Sequence, residues 1–171
     1  MKYKKFDQMN CSLAQTLDII GERWTLLILR NAFLGARRYS QFQENLDIAR
    51  NILSSRLKRL VAEDILKKAA ITEGAHAEYR LTDKGLALQP VLLSMTHWGD
   101  QYKANPKGAR LTFVERDTEL PIRQMAAISQ DGRTLLCRDI RAVPGPALRP
   151  GTGTNNPGTE IMRRKLCNQF V

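Results

Sequence analysis

The segment from Ile48 to Ala62 limits the folds open to this 171-residue chain more than any other stretch. Three leucines, Leu53, Leu57 and Leu60, stand at positions i, i+4 and i+7 and define one apolar helical face. The opposite face is small, polar or basic, because the segment has four basic residues and no acidic one. We therefore predict a helix from about Ala49 to Glu63 that packs on its own domain through its leucines.

Helical spacing also predicts three shorter helices before this one. They run from Ser12 to Ile20, from about Glu22 to Leu34 and from Ser40 to Leu46. Ser12 is expected to cap the first helix, and Gly35 is expected to end the second. Ser40 and Gln43 have the spacing of a capping box, which predicts the start of the third helix.

A short hairpin and a long helical pattern follow the fourth helix. Two strands are predicted at Ile65–Ile71 and His76–Leu81, with a glycine in the turn between them. Thr82 is expected to cap the helical pattern that continues to about Tyr102, and Pro90 either kinks or divides it. Four helices, a hairpin and a further helix predict a mainly α fold with a small β component (α+β), a winged helix-turn-helix.

A break is predicted at Asn105–Gly108, where proline and glycine interrupt regular structure. We expect residues 1–104 to form the winged helix-turn-helix domain, used for DNA binding and dimerisation. We expect residues 105–171 to form a C-terminal extension with a small β ribbon over 109–141 and an irregular tail. Apolar residues are expected to hold the ribbon together, among them Leu111, Phe113, Met125, Ile128 and Leu135.

The composition predicts a soluble protein that binds an anionic partner. The formal net charge is +10, which points to nucleic acid or an anionic surface. No apolar run reaches the roughly 18 residues of a membrane span, and the basic N-terminus lacks the apolar segment of a signal peptide. Three cysteines are typical of a reducing compartment, so we expect a cytoplasmic protein with no membrane partner.

The polar face of the fourth helix has the chemistry that reading of double-stranded DNA requires. Short polar and basic side chains reach base edges and phosphates, whereas acidic ones would repel the phosphates. The candidates for base-edge contacts are Asn51, Ser54, Ser55 and Lys58. The candidates for phosphate or wing contacts are Arg38, Ser40, Arg50, Arg56, Arg59, Lys67, Lys68, His76 and Arg80. Helical-wheel geometry puts Arg56 at the side of the helix, and His76 is equally well explained as a solvent-exposed turn residue.

Several stretches in the right order carry a resemblance to a known family. They are Cys11–Leu13, Thr16–Gly21, Arg23–Arg30, Gly35, Arg38–Phe42, Ile48–Leu60, Tyr79–Gly85 and Trp98–Gly99. Over residues 10–100 the chain resembles the HxlR-type winged-helix transcriptional regulators, relatives of the MarR group. The resemblance implies a homodimeric regulator, more often a repressor, on a palindromic operator near its own or an adjacent gene. It also implies dimerisation through the first and last helices of the winged domain.

The resemblance raises the question of a sensor. Cys11 occupies the position at which several family members have a cysteine that senses electrophiles or oxidants. The alternative, which we favour, is a small structural residue packed at the dimer interface. The other possible signal for regulation is a small-molecule effector that binds in the crevice between the two subunits of the dimer.

Metal, cofactor and catalytic sites are not expected. Longer family members often carry cysteine knuckles in their extension, but Cys137 alone cannot supply the roughly four ligands that Zn²⁺ requires. We find no phosphate-binding loop, dinucleotide fingerprint, nucleophile elbow or metalloprotease motif, so an enzyme built on residues 109–171 is the weakest hypothesis. A winged module that binds a protein partner is the main alternative to a DNA-binding regulator.

Overall fold

The computed structural model describes residues 6, 9–69, 77–143 and 145–148 of the chain. In chain order the elements of these residues are α1 Ser12–Ile20, α2 Arg23–Phe33, α3 Tyr39–Leu46, α4 Arg50–Ala62, β1 Leu66–Ala69, β2 Glu78–Leu81, α5 Asp83–Leu86, α6 Gln89–Tyr102, β3 Ala127–Ile128 and β4 Thr134–Leu135. Helices with two small antiparallel sheets confirm the predicted α+β class. None of the described helices is long and apolar enough to cross a membrane.

The chain forms two compact units. Residues 22–125 make the larger unit, and residues 1–21 with 126–171 make the other. The last long helix does end at Tyr102, close to the break predicted from sequence. The residues that follow it, as far as Met125, nevertheless belong to the same unit as the helices. The division into domains at residue 104 therefore stays a prediction.

The core of the larger unit lies where α2, α3 and α4 meet. Ile28 and Leu29 of α2 are fully buried, and so is Phe42 of α3. The apolar face predicted for the fourth helix is confirmed, because Leu53, Leu57 and Leu60 are buried. Burial of each such side chain contributes about 1.5–3 kcal/mol, which anchors α4 through one face and leaves the other outside.

The connection between α3 and α4 is tight. Asp47 ends α3 in the left-handed backbone region with φ of 46°, and Ile48 is buried directly after it. The Tyr39 hydroxyl donates a hydrogen bond to the Arg50 carbonyl at 3.0 Å, so the start of α3 is tied to the start of α4. The two helices are thus held as a helix-turn-helix pair.

Two predicted helix caps are wrong. Cys11, not Ser12, is the N-cap of α1, and Ser12 is the first helical residue. Helix α3 begins at Tyr39, where the Gln41 side chain accepts the backbone N–H groups of Arg37 at 2.8 Å and Arg38 at 2.9 Å. Spacing alone placed the capping box two residues too late, because glutamine reaches back to free N–H groups without needing serine as its partner.

The start of the next helical segment is confirmed. Thr82 accepts the Gly85 N–H at 3.0 Å and donates to the Asp64 carbonyl at 2.6 Å. Helix α5 is only one turn long, and α6 begins at Gln89 with Pro90 in its first turn. Proline lacks an N–H and is tolerated in a first turn, so Pro90 divides the predicted long helix instead of kinking it.

The wing consists of β1 and β2, which pair antiparallel with Leu66 opposite Leu81 and Lys67 opposite Arg80. Strand β1 begins one residue later than predicted, at Leu66, and β2 begins two residues later, at Glu78. Residues 70–76, which include the predicted turn and His76, lie outside the described residues.

Regular strand structure in the extension is much more limited than the predicted ribbon. Within residues 109–141 the strands β3 and β4 have two residues each, and a single bridge joins Val114 to Pro121. Among the apolar residues expected to hold a ribbon, Phe113 and Leu135 are half-buried, whereas Leu111, Met125 and Ile128 are exposed. Alternation along the chain predicts extended backbone, but a ladder also needs a partner strand in register.

The smaller unit contains α1 and these short strands. Helix α1 buries Ala14 and Ile20. The Asn10 side chain donates to the Ala147 carbonyl at 3.0 Å, which links the segment before α1 to a residue near the end of the described chain.

Candidate nucleic-acid interface

The exposed face of α4 has the composition that its sequence predicts. Asn51, Ser55 and Lys58 are exposed opposite the buried leucines, and Arg50 is exposed at the first turn. One side of this 13-residue helix thus offers amide, hydroxyl and ammonium groups, and its first turn adds a guanidinium. The surface can donate hydrogen bonds to acceptors and attract negative charge.

Ser54 takes part in the packing of α4 as well as bordering this face. It is half-buried, and its hydroxyl shares a hydrogen bond with the Tyr39 hydroxyl at 3.2 Å. Tyr39 is a residue that sequence reasoning missed as a positioning group. The only available signal was an aromatic residue with a polar tip at the start of α3, where it can reach the following helix.

Arg56 differs from the other basic residues of α4, because its guanidinium forms an ion pair with Glu22 at the start of α2. Both side chains are about three-quarters buried, with exposed fractions of 23% and 26%. This pair connects α4 to α2 and neutralises the charge of Arg56. Arg59 is half-buried beside the exposed face.

The wing brings together three charged side chains on one face of the hairpin. Lys67 and Arg80 are direct cross-strand neighbours, and like charges at such positions repel each other. Glu78 relieves part of this repulsion by accepting from Arg80 at 3.0 Å. Lys68 lies on the other face opposite Tyr79 and is exposed. The described wing residues therefore keep a net positive charge.

The backbone couples the wing to the start of α3. The Tyr79 N–H donates to the Arg37 carbonyl at 2.8 Å, next to the exposed predicted contacts Arg38 and Ser40. Burial raises the pKa of the Tyr79 phenol above its usual value, and the neighbouring Tyr39 raises this pKa further. Tyr79 is therefore neutral around pH 7 and adds no negative charge to a basic surface.

The structure thus brings most predicted contacts to three adjoining elements, α3, α4 and the wing. Their contact with DNA stays a prediction. Arg56 is engaged by Glu22, and His76 lies outside the described residues. Sequence reasoning missed Glu22 because its pairing with Arg56 spans 34 positions and depends on how α2 crosses α4.

Cys11 and Cys137 both carry free thiols. Cys11 is half-buried at the N-cap of α1, and Cys137 is exposed at the start of a 3-10 turn ending at Asp139. Lys4 and Lys5, close to Cys11 in sequence, lie outside the described residues. Among the described residues no cluster of three or more His, Cys, Asp or Glu side chains could hold a metal ion.

A row of exposed apolar side chains runs along α6. Val91, Met95, Trp98 and Tyr102 stand at i, i+4, i+7 and i+11, and we call them the α6 stripe. Trp98 and Tyr102 are 60% and 61% exposed, and their rings lie 5.2 Å apart. This spacing is that of a helix face that packs against another helix.

Comparison with known proteins agrees with this architecture. Residues 19–107 match the HxlR-like helix-turn-helix family. The chain is 34% identical over 139 residues to an uncharacterised HTH-type transcriptional regulator of Mycobacterium tuberculosis, covering 81% of this chain and 88% of the relative. The crystal structure of PA1607, described as a transcription factor, is 38% identical with a TM-score of 0.77, over 83% of this chain and all of that one.

A further similar structure is that of the redox regulator HypR in its reduced form. It is 27% identical with a TM-score of 0.51, over 54% of this chain and 94% of that one. The sequence match and the winged helix-turn-helix architecture define the class of protein: a transcriptional regulator with a helix-turn-helix. Within that class, the chain belongs to the HxlR-like family.

Proposed function

We propose that this regulator binds double-stranded DNA with α4 in the major groove. The observation that carries the proposal is the exposed face of α4, which combines Asn51, Ser55 and Lys58 and contains no acidic residue. An asparagine amide can pair with adenine, and a lysine can donate to guanine or to a phosphate. Ser54 and Arg59 flank this face, and we expect both of them and Arg50 to lie near the same groove.

Phosphate contacts would come from the elements beside α4. Arg38 and Ser40 lie at the start of α3, and Lys67, Lys68 and Arg80 lie on the wing. Such contacts fix the register of a protein on the duplex and make its affinity salt-dependent. The remaining repulsion between Lys67 and Arg80 would fall when a phosphate binds between them.

We further propose a homodimer that reads a palindromic operator, with the α6 stripe as part of its interface. Covering four exposed apolar side chains removes them from water, which favours association. A two-fold axis would place two copies of α4 about 34–36 Å apart, one turn of B-DNA. By resemblance to the family, we expect repression at the protein's own or an adjacent gene, in the cytoplasm, by binding alone and without catalysis.

The test of DNA binding is a fluorescence-anisotropy titration against the upstream region of the protein's own gene. In roughly 0.15 M salt, we expect Lys58→Ala to weaken binding about ten-fold and to lower the salt dependence by about one ion. Lys107→Ala removes the same charge from an exposed turn remote in sequence from α4, and we expect it to change the affinity little. Equal affinities for Lys58→Ala and the unaltered protein would contradict the placement of α4 in the groove.

The main alternative remains a winged module that binds a protein. It predicts no specific complex in this titration or in a wider operator screen, and no salt-dependent retention on heparin. The acid-free face of α4 favours DNA, because a protein-binding surface has no need to exclude carboxylates.

We also propose that the regulator responds to a chemical signal, and Cys11 is the candidate thiol. Similarity to the redox regulator HypR supports a thiol switch. Cys11 lies at the N-cap of α1 with a free, half-buried thiol. Regulation would change the spacing between the two copies of α4, so that both no longer fit successive grooves.

The same titration tests this switch after treatment with diamide or a quinone. We expect oxidant to lower the DNA affinity of the unaltered protein at least ten-fold, the size of a typical allosteric coupling of about 1–3 kcal/mol. Cys11→Ser should retain the affinity under the same treatment, whereas Cys137→Ser should remain sensitive. If Cys11→Ser loses DNA binding as the unaltered protein does, Cys11 is not the sensor.

A further inference from the structure

The larger unit contains an apolar cavity that plays no part in the proposed DNA contacts. Its volume is about 340 Å³. One wall is formed by α2 through Leu27 and Phe33, and another by α6 through Leu92 and Leu93. The chain after α6 returns over it and adds Phe113 as a third wall. A recess of this volume is at the lower end of the range, about 300–1,000 Å³, in which proteins bind small molecules.

The charged residues that line the cavity are Arg30, Asp100 and Arg110. Arg110 donates to Asp100 at 3.0 Å, so these two charges neutralise each other. Arg30 donates through Nε and Nη2 to the neutral amide oxygen of Asn31, at 3.2 and 3.0 Å. The lining therefore has one uncompensated positive charge beside an otherwise largely apolar space.

We propose that this cavity binds a small molecule with an apolar body and a single carboxylate. The apolar body would lie between Leu27, Leu93 and the two phenylalanine rings, and the carboxylate would accept hydrogen bonds from Arg30. A planar guanidinium matches a carboxylate with two parallel donors, which a neutral head group cannot use in the same way. The charge balance selects an acid over an amine, because a cation would meet the excess positive charge of Arg30.

The alternative occupant, a second copy of the chain, fits the cavity less well. Of the four residues of the α6 stripe, Met95 lines the cavity, and the others face elsewhere. The stripe is one face of α6, whereas the cavity lies between α6 and α2 and shares only Met95 with the stripe. The two surfaces can therefore be occupied at the same time.

The position of the cavity gives ligand binding a route to α4. Helix α6 carries cavity residues such as Leu93 and also the α6 stripe. Helix α2, which forms the opposite wall, is tied to α4 by the ion pair between Glu22 and Arg56. A ligand that enters between α2 and α6 would change their separation and with it the position of α4 relative to the stripe. This regulatory consequence rests on the proposed function, whereas binding of the acid does not.

The test is isothermal titration calorimetry on the full chain in the absence of DNA. The probes are decanoate and 2-naphthoate, each compared with its primary amide, which has nearly the same shape and no charge. We expect at least one acid to bind, and to bind about ten-fold more tightly than its amide, as one charge-assisted hydrogen-bonded pair allows. Binding of an amide as tightly as its acid would overturn the role of Arg30.

Three variants locate the site. Arg30→Gln should lower the affinity for the acid about ten-fold and leave that for the amide unchanged. Arg141→Gln removes a positive charge from an exposed position outside the cavity and should change neither affinity. Leu93→Trp should fill the space and abolish binding of the acid, with thermal unfolding used to verify that the variant folds.

The outcomes separate this proposal from the proposed function. Binding of an acid that depends on Arg30 and Leu93 supports the site even where the protein binds no DNA. Absence of binding by both acids at millimolar concentration overturns it, and so does binding that neither variant alters. A change in DNA affinity on addition of the bound acid, absent in Arg30→Gln, would then link the cavity to regulation.

Discussion

At the scale of single residues, Gly85 lets the first turn of α5 lie against the backbone of Ile65, the residue just before β1. A Cβ atom at this position would be 2.2 Å from the Ile65 carbonyl oxygen and 3.0 Å from Cδ2 of Leu81. The Ile65 carbonyl also accepts the Thr82 N–H at 3.1 Å, so it cannot move away without breaking that bond. The requirement for glycine here is steric.

We expect Gly85→Ala to lower the free energy of unfolding by about 1–3 kcal/mol, the usual cost of overpacking. Gly145→Ala is the matched control, because a Cβ there meets no atom within 4 Å. We expect this control to change stability by less than about 0.5 kcal/mol. Urea denaturation of both variants measures the difference, and equal midpoints would refute the steric argument.

Basic side chains of similar type have different surroundings in this protein. Lys58 is exposed on α4, whereas Arg56, two positions earlier, is engaged by Glu22. Both contribute equally to the net charge of +10, yet only the first presents its charge to solvent. Helical-wheel geometry placed Arg56 at the side of α4, but it could not identify Glu22 as the partner.

At the scale of elements, α4 is the helix that its sequence defines most fully. Periodic leucines fix which face is buried, and the predicted limits of about 49 to 63 agree with the observed Arg50–Ala62 to within one residue. The α5 to α6 boundary is also local in origin, since Thr82 caps α5 and Pro90 occupies the first turn of α6. Elements with strong local signals of this kind could be predicted from the chain alone.

Elements whose stability depends on distant partners were predicted less well. Alternation between residues 109 and 141 indicated a ribbon, but β3 and β4 are two residues long. Ile128 of β3 is exposed and has no apolar face to cover it in that sheet. A strand is stabilised by its neighbours, and the sequence does not specify where those neighbours lie.

At the scale of the whole molecule, the α6 stripe connects the fold to the proposed dimer. Its four members span three turns of one helix, and all four are exposed, unlike the leucines of α4 such as Leu57. A stripe of this kind is typical of a surface that a second copy covers.

We expect the protein to sediment as a dimer of twice 19.4 kDa. Trp98→Glu should shift it to the monomer mass, because a carboxylate would be buried without a partner in the interface. Leu120→Glu is the control, since Leu120 is 65% exposed and lies outside the stripe. Sedimentation velocity measures both masses, and a Trp98→Glu variant that remains dimeric would exclude the stripe from the interface.

Local physical chemistry allowed the sequence by itself to determine the winged helix-turn-helix order, the buried leucines of α4 and the polar face opposite them. Helical periodicity, capping by Thr82 and the missing N–H of Pro90 act within a few residues and do not depend on the rest of the fold. The tertiary structure decided which residues of different elements contact each other. The pairing of Arg56 with Glu22, the hydrogen bonds of Tyr39 and the cavity lined by Phe113 all join residues far apart in the chain. Their positions depend on how helices cross in space, which a linear pattern does not record.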